Sequence, residues 1–320
     1  MKILQVTAPT TFEVLDVPIP TPGPGEVLMR VEACNTCVQW DLHLNHNEPM
    51  FVGHKFEYPY APGQPGHEAT GYLEAVGPDV SDFAVGDRVC AWRDAGHHVW
   101  GCYAQYVILQ AAGTIKIPEG LPAENWASIE LAMCIGTAIR DLRSVGAIAG
   151  QRFGVTGLGP AGLIALQMAK AEGANEVIGF DLIPERREFA LTLGADACFD
   201  PTTVSEAEMP FRNGVYAGID CHGAKASVEW LMDHTARTVA LFGVQREDYT
   251  YGLCHAGLWV LGYRGHFYES AEYARDLIAA GKLNMAPLST VSLPLERYGE
   301  GIELLEQRKA WKICYKPWMS

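Results

Sequence analysis

Residues 154–162 read GVTGLGPAG, with Gly157, Gly159 and Gly162 in the spacing G-x-G-x-x-G. Taken alone that spacing is a weak signal, and its surroundings give it weight. The run RFGVTGLG reads as a strand leading in, and PAGLIALQMAKAEGA reads as a helix leading out. Asp181 closes the next predicted strand, EVIGFD, 19 residues beyond Gly162. Strand, glycine loop, helix and a following acid at that distance are what a dinucleotide site requires. Gly157 permits the tight turn, Gly159 lets the backbone approach a pyrophosphate, and Gly162 lets helix and strand pack closely. Leu158, Pro160 and Ala161 complete the loop, whose helix end offers unpaired N–H groups and a positive dipole end to phosphates. Asp181 is suited to accept the ribose hydroxyls and to repel a 2′-phosphate, which favours NAD over NADP. Arg186 and Arg187 follow closely and are the side chains that would meet a phosphate there.

Around this loop the chain alternates. EVIGFD, PERREFALTLGA, ACFD, YAGIDC, KASVEWLMDHT, TVALFGV and LWVLGYRG read in turn as strands and helices, the pattern of a doubly wound parallel α/β sheet. The first 125 residues have a different texture. EVLMRVEAC, ATGYLEAVG, DRVCAW and AQYVIL are short β-branched or aromatic runs cut by Gly, Pro and Asp turns, as in a compact β barrel or sandwich. WASIELAMCIGTAIRDLRSVG then has apolar residues at helical spacing and stops at Gly146. The last stretch holds a helix, SAEYARDLIAAG, an extended LSTVSLPL, and a final helix with the short strand KICYKP.

At 320 residues and 48% apolar content, the chain can bury two sizeable cores. A net charge of −14 disfavours nucleic acid and anionic membrane as partners. No window reaches the roughly 20 apolar residues that span a bilayer, and MKILQVTAPTTFEVLDV lacks the pattern of a secretory signal. The nine cysteines are scattered, so they read as cytoplasmic thiols and candidate metal ligands rather than a disulfide framework.

A second motif lies in the β-rich part, where GQPGHEATGYLEAVG sets His67 beside Glu68 among glycines. Upstream, CNTCVQWDLH carries Cys34, Cys37, Asp41 and His43. A catalytic zinc needs three protein ligands of mixed Cys, His or carboxylate type and one open position. Cys37, His67 and Glu68 supply that set, with Glu130 or Cys134 of ASIELAMCIG as a further ligand.

With these residues in place the chain resembles the zinc-containing alcohol and polyol dehydrogenases of the medium-chain dehydrogenase/reductase superfamily. The resemblance runs nearly end to end, through PGPGEVLMRVEACNTC, GHEATGYLEAVGPDV, FAVGDRV, GCYAQYVI and GVTGLGPAGLIALQMAKAEGANEVIGFD. It implies a GroES-like catalytic domain over residues 1–134, a Rossmann domain over 135–266 and a return to the catalytic domain over 267–320, with the active site in the cleft between them. Cys37 and His67 are implied as zinc ligands, with Glu68 bound to the metal or just behind it, and Glu130 as the third ligand of the family ahead of Cys134. The implied reaction is reversible hydride transfer between an alcohol or polyol and NAD, with zinc as Lewis acid. A homodimer or homotetramer is implied as well.

Two departures stand out. The stretch CAWRDAGHHVWGCY is too short for the four-cysteine structural zinc lobe of the family, so a single catalytic zinc and no structural zinc are expected. Cys90, His97, His98 and Cys102 are too irregularly spaced to be a strong replacement site. The hydroxyl that usually follows the first zinc cysteine by two residues is also missing: Gln39 and Trp40 stand there, and Asp41 is displaced by one. Asp41 still suits a carboxylate that orients His67, and His43 is the nearest titratable side chain for a proton relay. His46 and His54 read as surface histidines. Two other readings of the scaffold are a zinc-free quinone or enoyl reductase using NADPH, and a nucleotide-binding protein without catalysis.

Overall fold

Six strands, all parallel, form one sheet around the glycine loop. In spatial order they are Ala197–Phe199, Glu176–Phe180, Arg152–Thr156, Val215–Asp220, Thr235–Leu241 and Trp259–Gly262. Counted along the chain this is the order 3-2-1-4-5-6, that of the Rossmann fold, and the glycine loop follows the strand at its switch point. The strands are apolar through most of their length because the helices Pro160–Ala171, Pro184–Thr192 and Lys225–His234 connect them and cover the sheet. Pro160 opens the first of these helices, where its missing N–H costs nothing. The computed structural model describes residues 1–93, 96 and 98–319; His97 lies outside them.

The chain divides into two compact units, Met1–Leu131 with Met285–Ser320, and Ala132–Asn284. The return to the first unit begins at Met285, where the sequence reading set it at 267. Residues 267–284 contain the helix Tyr268–Ala279, whose buried Ser270 accepts hydrogen bonds from Thr137 (3.0 Å) and Arg140 (2.8 Å) of the second unit. No helix among the described residues is long and apolar enough to cross a membrane.

The first unit is built on a mixed sheet in which Glu26–Asn35 is central. It pairs antiparallel with Glu68–Val76, Tyr106–Gln110 and the returning strand Ile313–Tyr315. Leu4, Val27, Met29, Val31, Leu73, Val89, Val107 and Tyr103 fill the core against it. A helix the sequence did not signal, Val38–His46, follows the central strand. Its buried residues are Asp41 and Leu44, so an acid occupies the position where an apolar stripe would have announced it. Asn47 ends it in the left-handed conformation, with its N–H bonded to carbonyls of the last turn.

Candidate metal centre and coenzyme loop

Strand register assembles the candidate metal-ligating side chains. Asn35 lies opposite Glu68 and Cys34 opposite Ala69, so the end of the strand Glu26–Asn35 meets the start of Glu68–Val76. Cys37, just past the first, and His67, just ahead of the second, are thereby brought together. Ligand atoms of Cys37, His67 and Glu68 all lie within 4.8 Å of one another. Asn35 also donates to Ser128 Oγ at 2.8 Å, beside the start of the helix Ile129–Ser144. Glu130 in its first turn then stands with Oε2 3.8 Å from His67 Nε2, both side chains buried. Cys134 is one turn further along this helix and buried.

The ring of His67 is set by the backbone. Its Nδ1 lies 2.8 Å from the Pro65 carbonyl oxygen, which can only accept, so Nδ1 carries the proton and Nε2 presents its lone pair toward Glu130. The sequence reading gave this orienting part to Asp41. Asp41 instead accepts hydrogen bonds from the hydroxyls of Tyr103 and Tyr298, each at 2.9 Å. It has no solvent exposure, and burial pushes its carboxyl up to about 7, against the pull of both hydroxyls and of His67.

Glu68 is buried, which raises its carboxyl, while the adjacent Lys312 pulls it down. Lys312 Nζ donates to Glu68 Oε1 at 2.7 Å and to the Thr36 carbonyl. Glu68 Oε2 is buried with no hydrogen-bond partner among the described residues. A buried acceptor left open beside a thiol, an imidazole lone pair and a second carboxylate fits a cation, because an unpaired carboxylate oxygen would otherwise be costly there. The donor set of sulfur, nitrogen and carboxylate oxygen suits zinc.

The other side chains singled out in this unit divide. His43 follows Cys37 on the helix Val38–His46, about 9 Å along its axis at a rise of roughly 1.5 Å per residue. Its Nδ1 lies 3.1 Å from the Glu48 carbonyl oxygen. Trp40 packs edge-on against His54 and Phe56, at 5.6 and 6.0 Å between ring centroids. His54 therefore belongs to an aromatic cluster rather than the open surface, whereas His46 is a surface residue paired with Glu306 at 2.8 Å. Cys90 is a buried strand residue whose thiol donates to the Trp126 carbonyl, and Cys102 is part of the core. His98 is exposed. Cys34 is wholly buried, and burial raises its thiol well above the usual range.

In the second unit the glycine loop has the local geometry its sequence requires. Gly157 takes φ +80°, and a Cβ there would lie 2.9 Å from His222 Cβ. At Gly162 a Cβ would overlap the Gly157 carbonyl oxygen, so helix and loop pack closer than any side chain allows. Gly159 faces open space: among the described residues, its chain neighbours and own helix backbone aside, no atom lies within 4 Å of an added Cβ. That is the room a diphosphate needs to reach the backbone. Asp181 accepts from Leu158 N at 2.8 Å and from Ile183 N at 2.9 Å, tying the loop to the neighbouring strand end. Arg186 stands 3.6 Å from Asp181 Oδ2, and Arg187 donates to the Asp181 carbonyl at 2.7 Å. Asp220, which the sequence reading passed over, is wholly buried and accepts from Thr156, Ser227 and Gly223 at 2.6–2.7 Å. It holds the ends of two central strands and the following helix in register.

Residues 23–119 match the alcohol dehydrogenase GroES-like domain, and residues 160–273 match the zinc-binding dehydrogenase domain. The L-threonine 3-dehydrogenase of Pyrococcus abyssi is 30% identical, over 95% of this chain and 94% of its own. The chain belongs to the zinc-containing alcohol and polyol dehydrogenase family. A further member, the sorbitol dehydrogenase of Pongo abelii, is 28% identical over 98% of this chain and 95% of its own. The crystal structure of 2R,3R-butanediol dehydrogenase from Bacillus subtilis shares the fold, with a TM-score of 0.85 and 24% identity over 99% of each chain. Membership makes this protein an oxidoreductase of alcohols or polyols, and it accounts for a GroES-like unit and a Rossmann unit in one chain.

Proposed function

We propose that the protein holds one catalytic zinc ion at Cys37, His67, Glu68 and Glu130 and transfers hydride reversibly between an alcohol or polyol and NAD. The single observation that carries this is the convergence of the Cys37, His67 and Glu68 ligand atoms within 4.8 Å, with Glu68 Oε2 buried and open. A zinc ion bound there would act as a Lewis acid on the alcohol or carbonyl oxygen. The chain's own residues do the rest. The Pro65 carbonyl keeps the proton on His67 Nδ1, so that Nε2 is the ligating atom. Lys312 holds Glu68 Oε1 and leaves Oε2 for the metal, and Glu130 is favoured over Cys134 by its position at His67 Nε2.

Asp181 supports NAD over NADP. Its carboxylate is fixed by two backbone amides beside the glycine loop, where it can accept a ribose hydroxyl and would oppose a 2′-phosphate. Arg186 is drawn to that carboxylate and partly offsets its charge, so the preference is one of degree. With no hydroxyl at Gln39 or Trp40, the substrate proton leaves through water toward His43. A second copy of the chain is expected to add at the edge strand Trp259–Gly262, forming a homodimer or homotetramer, and the enzyme is expected to be cytoplasmic.

The test is turnover with NAD and with NADP across a panel of polyols and secondary alcohols. Oxidation of at least one, faster with NAD, is expected. Binding of NAD without turnover of any substrate would instead favour a nucleotide-binding scaffold.

A further inference from the structure

Two acids and two arginines meet at the carboxyl ends of neighbouring strands in the second unit. Phe199 lies opposite Phe180 in the parallel register, so Asp200 and Asp181, the residues that follow them, stand side by side. The Asp181 N–H donates to the Phe199 carbonyl at 3.3 Å across this junction. Arg186 and Arg187, early in the helix Pro184–Thr192, reach back to the same corner. Each is matched to an acid. Arg186 stands 3.6 Å from Asp181 Oδ2, and Arg187 Nη1 stands 3.6 Å from Asp200 Oδ2 while donating to the Asp181 carbonyl at 2.7 Å. We propose that Asp200 is a specificity-determining residue, which holds Arg187 away from a coenzyme 2′-phosphate and so favours NAD over NADP. The proposal rests on the reading of Asp181 as the ribose-binding acid of an NAD site.

Asp200 is fixed in its place. Its Oδ1 accepts from the Thr202 N–H at 2.9 Å and from the Thr202 hydroxyl at 2.6 Å, which leaves Oδ2 to Arg187. Its carbonyl accepts from the N–H groups of Thr203 and Val204 at 3.1 and 3.0 Å, so the turn after the strand closes on itself. The Arg187 and Asp200 side chains are 22% and 24% exposed, within reach of a bound nucleotide. At this exposure and distance the pair contributes little to stability.

Its contribution to recognition is a matter of charge. Two guanidiniums face two carboxylates, so the corner is neutral as it stands. A guanidinium recognises phosphate through paired N–H donors. Arg187 commits one of its nitrogens to the Asp181 carbonyl and its charge to Asp200. A phosphate that recruits Arg187 must draw it from Asp200 and then meets the repulsion of that carboxylate. A ribose hydroxyl makes no such demand, because it needs only the Asp181 acceptor. Discrimination of this kind comes from a repulsive element set against the unwanted ligand.

The experiment titrates the full chain with NADH and with NADPH, follows the nucleotide fluorescence, and reads the ratio of the two Kd values. It needs no alcohol, so it does not depend on finding the substrate. Asp200→Asn keeps an acceptor for both Thr202 bonds and removes the charge. It should lower the NADPH-to-NADH Kd ratio by roughly three- to tenfold at low salt, and by less as salt screens the corner. In an Arg187→Gln background the same substitution should shift the ratio far less, because the guanidinium it would release is gone. A wild type that binds NADH more tightly, with a ratio unmoved by Asp200→Asn, overturns this proposal and leaves the NAD reading standing. An equal shift with and without Arg187 also overturns it, since Asp200 would then act by its charge alone. A wild type that binds NADPH more tightly overturns the NAD reading, and the proposal falls with it.

Discussion

Lys312 Nζ lies 2.7 Å from Glu68 Oε1, between two side chains 244 residues apart and each only 1% exposed. A buried pair of this kind is costly to break from one side, because the remaining charge has neither water nor partner. Lys312→Met should therefore lower stability by about 3–5 kcal/mol, read by urea denaturation. Adding Glu68→Gln to it should recover part of that loss. If Lys312→Met alone is neutral, the pair is not what holds the Glu68 carboxylate in place.

Asp181 anchors the glycine loop and is the proposed ribose ligand at once. Asp181→Ser should raise KM for NAD by roughly tenfold, the equivalent of 1.4 kcal/mol, while narrowing the preference for NAD over NADP. Steady-state kinetics with both coenzymes measures this. A wild type that already prefers NADP would mean that Arg186 or Arg187 recognises a 2′-phosphate.

Burial pushes Asp41 up to about 7 from an ordinary value of 3.8. Between those values the folded chain keeps a proton that the unfolded chain has released. The stability this group contributes is fully present below pH 3.8 and is lost as pH rises through about 7. A shift of roughly three units corresponds to on the order of 4 kcal/mol. Denaturation of the metal-stripped chain at several pH values should show this decline, and Asp41→Asn should flatten it. An unchanged slope in Asp41→Asn would assign the decline to other groups.

His43 is the proposed outlet for the substrate proton, on the helix that follows Cys37. His43→Ala should lower kcat for alcohol oxidation severalfold near neutral pH, and a small added buffer base should restore some of it. An unaltered pH profile of kcat would show that the proton leaves by another path.

Much of this was legible because it is local. The glycine loop, Asp181 and the pair His67–Glu68 each sit in a short segment whose residues specify the turn and the strand that follow. What escaped reading depends on distant pairing or on backbone. Lys312 reaches Glu68 only because Ile313–Tyr315 returns to pair with Glu26–Asn35, and nothing near Lys312 in the sequence marks it. Tyr298 meets Asp41 from 257 residues away. The group that orients His67 is a carbonyl, which every residue possesses, so no side-chain pattern could point to Pro65. The helix Val38–His46 was hidden because Asp41 takes a core position.

The central claim is that Cys37, His67, Glu68 and Glu130 hold the zinc on which turnover depends. It is tested most directly by measuring zinc content and NAD-dependent alcohol oxidation on the same preparations. One tightly held zinc per chain with activity is predicted for the wild type, and loss of both for Cys37→Ala, since a site of this kind does not keep its geometry without a ligand. A metal-free preparation with full activity, or zinc retained after Cys37→Ala, would contradict it.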